Sequence, residues 1–275
     1  MKKKKRSLVK RAILFIPLLL VLFTAFQFVY PDVSGLKTKN PAKTAFMSYR
    51  EKEWEREGKK YKITQKWVPL RAISPYLVKA VLIGEDDKFW SHEGFDYEAM
   101  QKALEKDIKA KKFKLGGSTI SQQLAKNLYL SPSKNPLRKI REAVITWRME
   151  RALSKKRILE LYLNVAEWGD RGIFGIEAAA RKYYGKSAAA LGPEEASRLA
   201  SILPNPRKFN PLGSQSYVIH RSNLIYNIMV RRGIVVPEYE EVSEPAESTS
   251  GPPDNASEPQ KLPESPFKDD DQAKP

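Results

Sequence analysis

The sequence predicts a mainly α-helical fold. Apolar residues recur at spacings of three and four, as in Ile120, Leu124 and Leu128 and again in Leu137, Ile140, Val144 and Trp147. Few stretches alternate apolar with polar residues for long, and Gly or Pro punctuates the helical runs. The periodic part occupies residues 74–235, which we read as one helical domain. Ahead of it lie a basic segment (1–11), a candidate transmembrane helix (12–30) and a connector (31–73). Behind it lies an acidic, Pro-rich tail (236–275). No internal repeat is visible.

Residues 2–11 hold Lys2, Lys3, Lys4, Lys5, Arg6, Lys10 and Arg11, and the 19 residues of 12–30 carry no charge. A bilayer core takes about 20 apolar residues as helix, so this run can span. Seven basic residues precede it against four in the following twenty, which favours an amino terminus in the cytoplasm and the remainder outside. The alternative is a cleaved signal peptide, whose apolar region runs ~7–15 residues before a small-x-small site. This run is longer, contains Pro17 and ends in Phe26, Phe28 and Tyr30, which favours an uncleaved anchor. The connector includes a charged, Trp-bearing stretch, 47–67. The tail is rich in Pro, Glu, Ser and Asp, and with so few apolar residues it reads as disordered.

Net charge is +17 over 275 residues, although the tail holds eleven acidic residues against three lysines. The basic surplus before the tail calls for an anionic partner: nucleic acid, a phosphate-bearing substrate or anionic lipid. There is no cysteine, which excludes disulfides, thiolate zinc sites and cysteine nucleophiles. His92 and His220 are the only histidines, too few for a His-rich metal site.

Within the domain, Ser74-Pro75 looks like a helix start with Ser as N-cap, and Gly84 looks like that helix's end. Glu85, Asp86 and Asp87 would then sit at a helix C-terminus, where the dipole disfavours ionised carboxylates. With acids and aromatic neighbours (Phe89, Trp90) beside it, Glu85 is a candidate for a raised pKa and acid/base work. Taken alone, the cluster reads more readily as a solvated acidic turn. His92 reads as a residue that orients the loop, and Asp96 as the N-cap of a helix from Tyr97. Residues 100–114 form a basic amphipathic stretch whose Met100, Leu104, Ile108 and Phe113 would face inward or toward lipid. Its alternative is an ordinary solvated helix. Gly117-Ser118 opens the next helix, with Ser as N-cap and a second place for negative charge. Opposite its apolar stripe, Thr119, Gln122, Gln123 and Lys126 share a face suited to sugar hydroxyls and a phosphate, or to solvent. On the helix over 137–153, Arg138, Lys139 and Glu142 lie away from the apolar stripe. They form either a surface ion pair or a second carboxylate beside two cations. Residues 155–164 form a core helix.

Taken together, these pieces resemble the peptidoglycan glycosyltransferases of glycosyltransferase family 51. Glu85-Asp86-x-x-Phe89-x-x-His92-x-Gly94-Phe95-Asp96 is similar to the family's first motif. Gly117-Ser118-Thr119-Ile120-Ser121-Gln122-Gln123-Leu124-x-Lys126-Asn127 is similar to the second, and Arg138-Lys139-x-x-Glu142 to the third. Lys155-x-x-Ile158-Leu159-Glu160-x-Tyr162-Leu163-Asn164 resembles the fourth. Leu203-Pro204-Asn205-Pro206 with Asn210-Pro211 resembles the fifth. Five motifs in order over residues 70–230 are far more specific than any one. Gly84 stands where the family often has another small residue, which could loosen Glu85. Ser131 and Lys134 make an isolated Ser-x-x-Lys with no Lys-Thr-Gly and no transpeptidase domain to house it, so the chain resembles the monofunctional form.

The resemblance implies a lysozyme-like helical domain with a smaller membrane-facing lobe, preceded by one transmembrane helix. It implies inverting transfer that polymerises lipid II and releases undecaprenyl pyrophosphate, without transpeptidase activity. Glu85 would be the general base and Glu142 the second catalytic carboxylate. Asp86, Ser118, Gln122, Gln123, Lys126, Asn127, Arg138 and Lys139 would bind substrate. No resident metal is implied and no cofactor is required, although a divalent cation (Mg or Mn) on the substrate pyrophosphate is compatible. Expected partners are lipid II, the lipid-linked glycan and membrane lipids, with room for other cell-wall synthesis or division proteins and none for nucleic acid. The expected location is the inner membrane, single-pass, with the catalytic domain periplasmic. A glycan-cleaving lysozyme-like hydrolase and a tethered polyanion-binding module are the competing classes. The first has no pyrophosphate for Lys126, Arg138 and Lys139 to hold, and the second leaves the carboxylates unexplained.

Overall fold

A computed structural model describes residues 31–109, 117–132 and 136–236. The expected span (12–30), Phe113 and the tail beyond 236 lie outside these. Among the described residues, no helix is long and apolar enough to cross a membrane. The described residues form nine α-helices and one two-stranded hairpin: α1 (Ala45–Arg56), α2 (Pro75–Glu85), α3 (Tyr97–Lys109), α4 (Ile120–Tyr129), α5 (Pro136–Ala152), α6 (Lys155–Val165), β1 (Glu167–Gly169), β2 (Ile173–Phe174), α7 (Ile176–Tyr184), α8 (Pro193–Ile202) and α9 (Ser216–Arg231). The mainly helical expectation is met.

The helix α6 is the hub. Ile158, Leu159, Leu161, Tyr162, Leu163, Asn164 and Val165 are all buried, the pattern of a helix enclosed by others. Leu77 and Val81 of α2, Ile120 and Leu124 of α4, and Leu199 of α8 belong to the same core. Pro75 opens α2, where its fixed φ suits a first turn and its missing N–H costs nothing. Ser74 holds the N-cap position as expected, but its side chain does not cap the helix. The Ser74 hydroxyl instead donates to the Leu191 carbonyl at 2.7 Å, tying α2 to the segment before α8. Nor does Gly84 end the helix, which runs on to Glu85. The second helix start also shifts by one residue. Thr119, not Ser118, is the N-cap of α4, and it closes a capping box with Gln122. Asp96 caps α3 as expected, accepting from the Ala99 amide at 2.9 Å.

Residues 31–73, read as a connector, are strapped to the hub. The Asn164 side chain accepts from the Val68 amide and donates to the Val68 carbonyl, both at 2.9 Å. Arg157 donates to the carbonyls of Leu36 (2.8 Å) and Lys39 (3.0 Å) and to Asn40 Oδ1 (2.8 Å). Met47 and Trp54 of α1 pack with Phe174 of β2 in a small second cluster.

Two helices turn apolar side chains outward. Met100, Leu104 and Ile108 of α3 are exposed, as are Tyr97 and the neighbouring Trp90. On α5 the stripe Leu137, Ile140 and Trp147, expected to pack inward, is exposed as well. The opposite face of α5 is the buried one, through Glu142, Ile145, Thr146 and Met149. That inward face mixes charge with apolar groups, and Glu142 on it is neutralised by Arg138 and Lys139 of the same helix.

Candidate active site

Glu85 is the last residue of α2, packed against α9. A Cβ on Gly84 would come within 3.2 Å of Ile225 Cδ1 of α9, so glycine permits this close approach. The approach brings Arg221 of α9 within reach. Its Nη2 donates to the Gly84 carbonyl at 2.6 Å and to Glu85 Oε1 at 3.2 Å. The Gly84 carbonyl thus helps tie the end of α2 to α9. Gln123 of α4 donates from Nε2 to Glu85 Oε2 at 2.9 Å. Burial pushes the Glu85 carboxyl above the ordinary glutamate range, against the pull of Gln123, Arg221 and Lys126. The direction matches the sequence reading, whereas burial, not a neighbouring acid, is the leading cause.

The neighbouring carboxylate does different work. Asp86 accepts from His92 Nε2 at 2.8 Å and from the Ile120 amide at 2.9 Å. His92 Nδ1 accepts from the Gly94 amide at 3.1 Å, which assigns the ring proton to Nε2. Thr119 Oγ1 donates to the Gly94 carbonyl at 2.7 Å. Asp86 and His92 therefore stitch the loop after α2 to the first turn of α4. The place for negative charge at that helix N-terminus is filled by the Asp86 carboxylate. Gln122, expected on the substrate face, is buried, and its side-chain carbonyl accepts from the Thr119 amide at 3.0 Å. Asn127 is buried one turn beyond Gln123.

The remaining candidates converge. Glu142 of α5 is 2% exposed and pairs with both Arg138 (2.8 Å) and Lys139. Lys139 Nζ also donates to Ser118 Oγ at 3.2 Å. Lys126 of α4 makes no hydrogen bond or ion pair among the described residues. Burial lowers its pKa, while Glu142 and Glu85 both act to raise it, so the ammonium is under the field of both carboxylates. A cleft of about 250 Å³ opens at Glu85 and Ser118, walled by Ile83 to Lys88 on one side and Gly117, Ser118 and Thr119 on the other. At Gly117 φ is +94° and a Cβ would lie 3.2 Å from the Ala99 carbonyl, so only glycine fits that wall. The arrangement offers a buried base, an unpaired cation and a second carboxylate bearing two more cations. Such a set can deprotonate a hydroxyl and neutralise a departing phosphate.

Arg221 was missed from sequence. Its signal was there: α9 turns Val218, Ser222, Ile225 and Met229 inward, and residue 221 falls on that same face. A charge at such a position asks for a buried partner, here Glu85.

Comparison with known proteins gives matches over the same region. A family model described as Transglycosylase matches residues 52–230. The chain is 54% identical over 171 residues to a biosynthetic peptidoglycan transglycosylase of Dechloromonas aromatica (strain RCB), covering 62% of this chain and 74% of the relative. It is 51% identical over 199 residues to the protein of that name from Azoarcus sp. (strain BH72), covering 72% and 85%. To the one from Nitrosospira multiformis it is 42% identical over 221 residues, covering 80% and 96%.

Proposed function

The chain belongs to the transglycosylase family, and from that premise we propose that it elongates peptidoglycan glycan strands from lipid II. The reaction is inverting transfer. The GlcNAc 4-hydroxyl of lipid II attacks the anomeric carbon of the lipid-linked strand, and undecaprenyl pyrophosphate leaves. Glu85 takes the hydroxyl proton. Burial makes its carboxylate a stronger base than a solvated one, while Gln123 and Arg221 keep it ionised and aimed.

The observation that carries this reading is Lys126. A desolvated ammonium with no hydrogen bond or ion pair among the described residues, in the field of Glu85 and Glu142, needs an anion. The substrate pyrophosphate supplies it, with Arg138 and Lys139 adding charge held in place by Glu142. Ser118 lies beside Lys139 to take a phosphate or sugar oxygen. Any divalent cation, Mg or Mn, would enter on the substrate pyrophosphate.

The location follows from the substrate. The charge-free run 12–30 would anchor the chain in the inner membrane with the domain outside. The outward apolar residues of α3 and α5 would rest on the bilayer as the smaller lobe of a lysozyme-like fold. The test is purified protein with labelled lipid II. Long glycan with release of undecaprenyl pyrophosphate supports the proposal. Cleavage of preformed glycan with lipid II untouched would make it a hydrolase instead.

A further inference from the structure

Behind Glu85 lies a buried phenol for which the reaction itself has no use. Tyr162 of α6 is 1% exposed, and its hydroxyl donates to Gln123 Oε1 at 3.0 Å. From the other end of the same amide, Gln123 Nε2 donates to Glu85 Oε2 at 2.9 Å. We propose that Tyr162 is a positioning residue whose hydroxyl fixes which end of the Gln123 amide faces Glu85. The proposal rests on Glu85 being the base of the proposed reaction.

The physics is one of donors and acceptors. Were the amide to flip, its oxygen would face the carboxylate, tolerable only with Glu85 protonated. Its NH₂ would then face the phenol, which could accept, but the phenol's own proton would lose its acceptor. Among the described residues the Gln123 carbonyl is the one partner of that hydroxyl. A buried donor left unmade is costly, so the phenol opposes the flip. Tyr162 stays protonated throughout, since complete burial and the nearby Glu85 and Asp86 carboxylates push its pKa well above the usual phenol value. The Ser118 carbonyl, 3.5 Å from Gln123 Nε2, favours the same orientation through a longer contact, and the groups facing Glu85 do not replace the phenol's control. Arg221 of α9 holds the opposite oxygen, Lys126 of α4 acts at a distance, and Asp86 is engaged with His92 and the Ile120 amide.

Tyr162→Phe keeps the ring and removes only the donor. The rate of lipid II polymerisation should then fall off at higher pH than in wild type. The expected loss is about tenfold on the acid limb, the scale of one weakened hydrogen bond to a charged group, and under about twofold on the alkaline plateau. KM should stay unchanged. In a Gln123→Met background, which has no amide to orient, adding Tyr162→Phe should do nothing further. A uniform rate loss at all pH values, or an additive effect in the Met background, overturns the relay. Should Tyr162→Phe melt below the assay temperature, the wild type gives a second reading. The Gln123 side-chain 15N resonance must shift along the acid limb, and a resonance that stays put refutes the proposal. Failure of the relay is distinct from failure of the proposed function, because the latter shows as wild-type protein that makes no polymer at any pH.

Discussion

Glu85→Gln is the sharpest perturbation of the site. The amide is isosteric, and its oxygen can still accept from Arg221 or from Gln123 but not from both, so the cleft should keep its outline while losing its base and one hydrogen bond. General-base catalysis contributes about 10²–10⁴-fold, so turnover should fall by that factor. At about 1.4 kcal/mol per tenfold, this corresponds to roughly 3–5 kcal/mol of barrier. The assay is initial-rate consumption of labelled lipid II, with affinity for a phosphoglycolipid donor mimic measured beside it and expected to hold within a few-fold. Stability supplies an independent sign. Folding raises the Glu85 pKa, so the charged carboxylate works against folding above the unfolded-state value and is neutral in effect below it. The melting temperature of the variant relative to wild type should therefore rise as pH increases from below the ordinary glutamate range to neutrality. A variant keeping more than about a tenth of wild-type turnover would refute the assignment of Glu85 as base.

The other expectations concern the neighbours of that carboxylate and the outer face. Glu142→Gln should weaken binding of the donor mimic by about tenfold or more, as read by titration calorimetry, because Arg138 and Lys139 lose the charge that holds them. Arg221→Ala removes a cation that favours the ionised Glu85, so the acid limb of kcat should move to higher pH, with Arg221→Lys restoring part of it. Replacing Leu104 or Ile140 by Ser should weaken partition of a fragment spanning 31–236 onto anionic vesicles, each by about tenfold, in keeping with the transfer energy of one aliphatic side chain. Unchanged partition in a flotation assay would show that this face does not touch lipid.

How far the sequence carried the fold depends on what each side chain was asked to do. Periodicity located the α4 stripe, Ile120, Leu124 and Leu128, because that helix buries its apolar side against the hub in the ordinary way. The same rule applied to α5 chose the wrong face. Its apolar residues point outward, and the buried side includes a carboxylate that two cations neutralise. Apolar spacing reports a face that avoids water, and a bilayer satisfies that as well as a core does. The motif letters had a similar limit. Glu85, Gln123, Lys126, Ser118, Arg138, Lys139 and Glu142 converge as expected, yet Gln122 and Asp86 carry matching letters and spend their hydrogen bonds on the first turn of α4. Sequence spacing placed Gln122 and Gln123 on one helix side, but adjacent residues differ by about 100° of arc. That turn is enough to put one amide in a capping box and the other on the base. Arg221 shows in the sequence only as a charge on the inward face of α9 and Tyr162 only as core, and neither points to Glu85. Each sits on a helix whose neighbours read as core, about 40 residues or more from Gln123 in sequence. What links them to Glu85 is only the packing of α4, α6 and α9 around the end of α2. The chemistry of this site thus depends on a polar contact network placed inside the core. The strongest sequence signal for such a network is a polar residue where periodicity demands an apolar one.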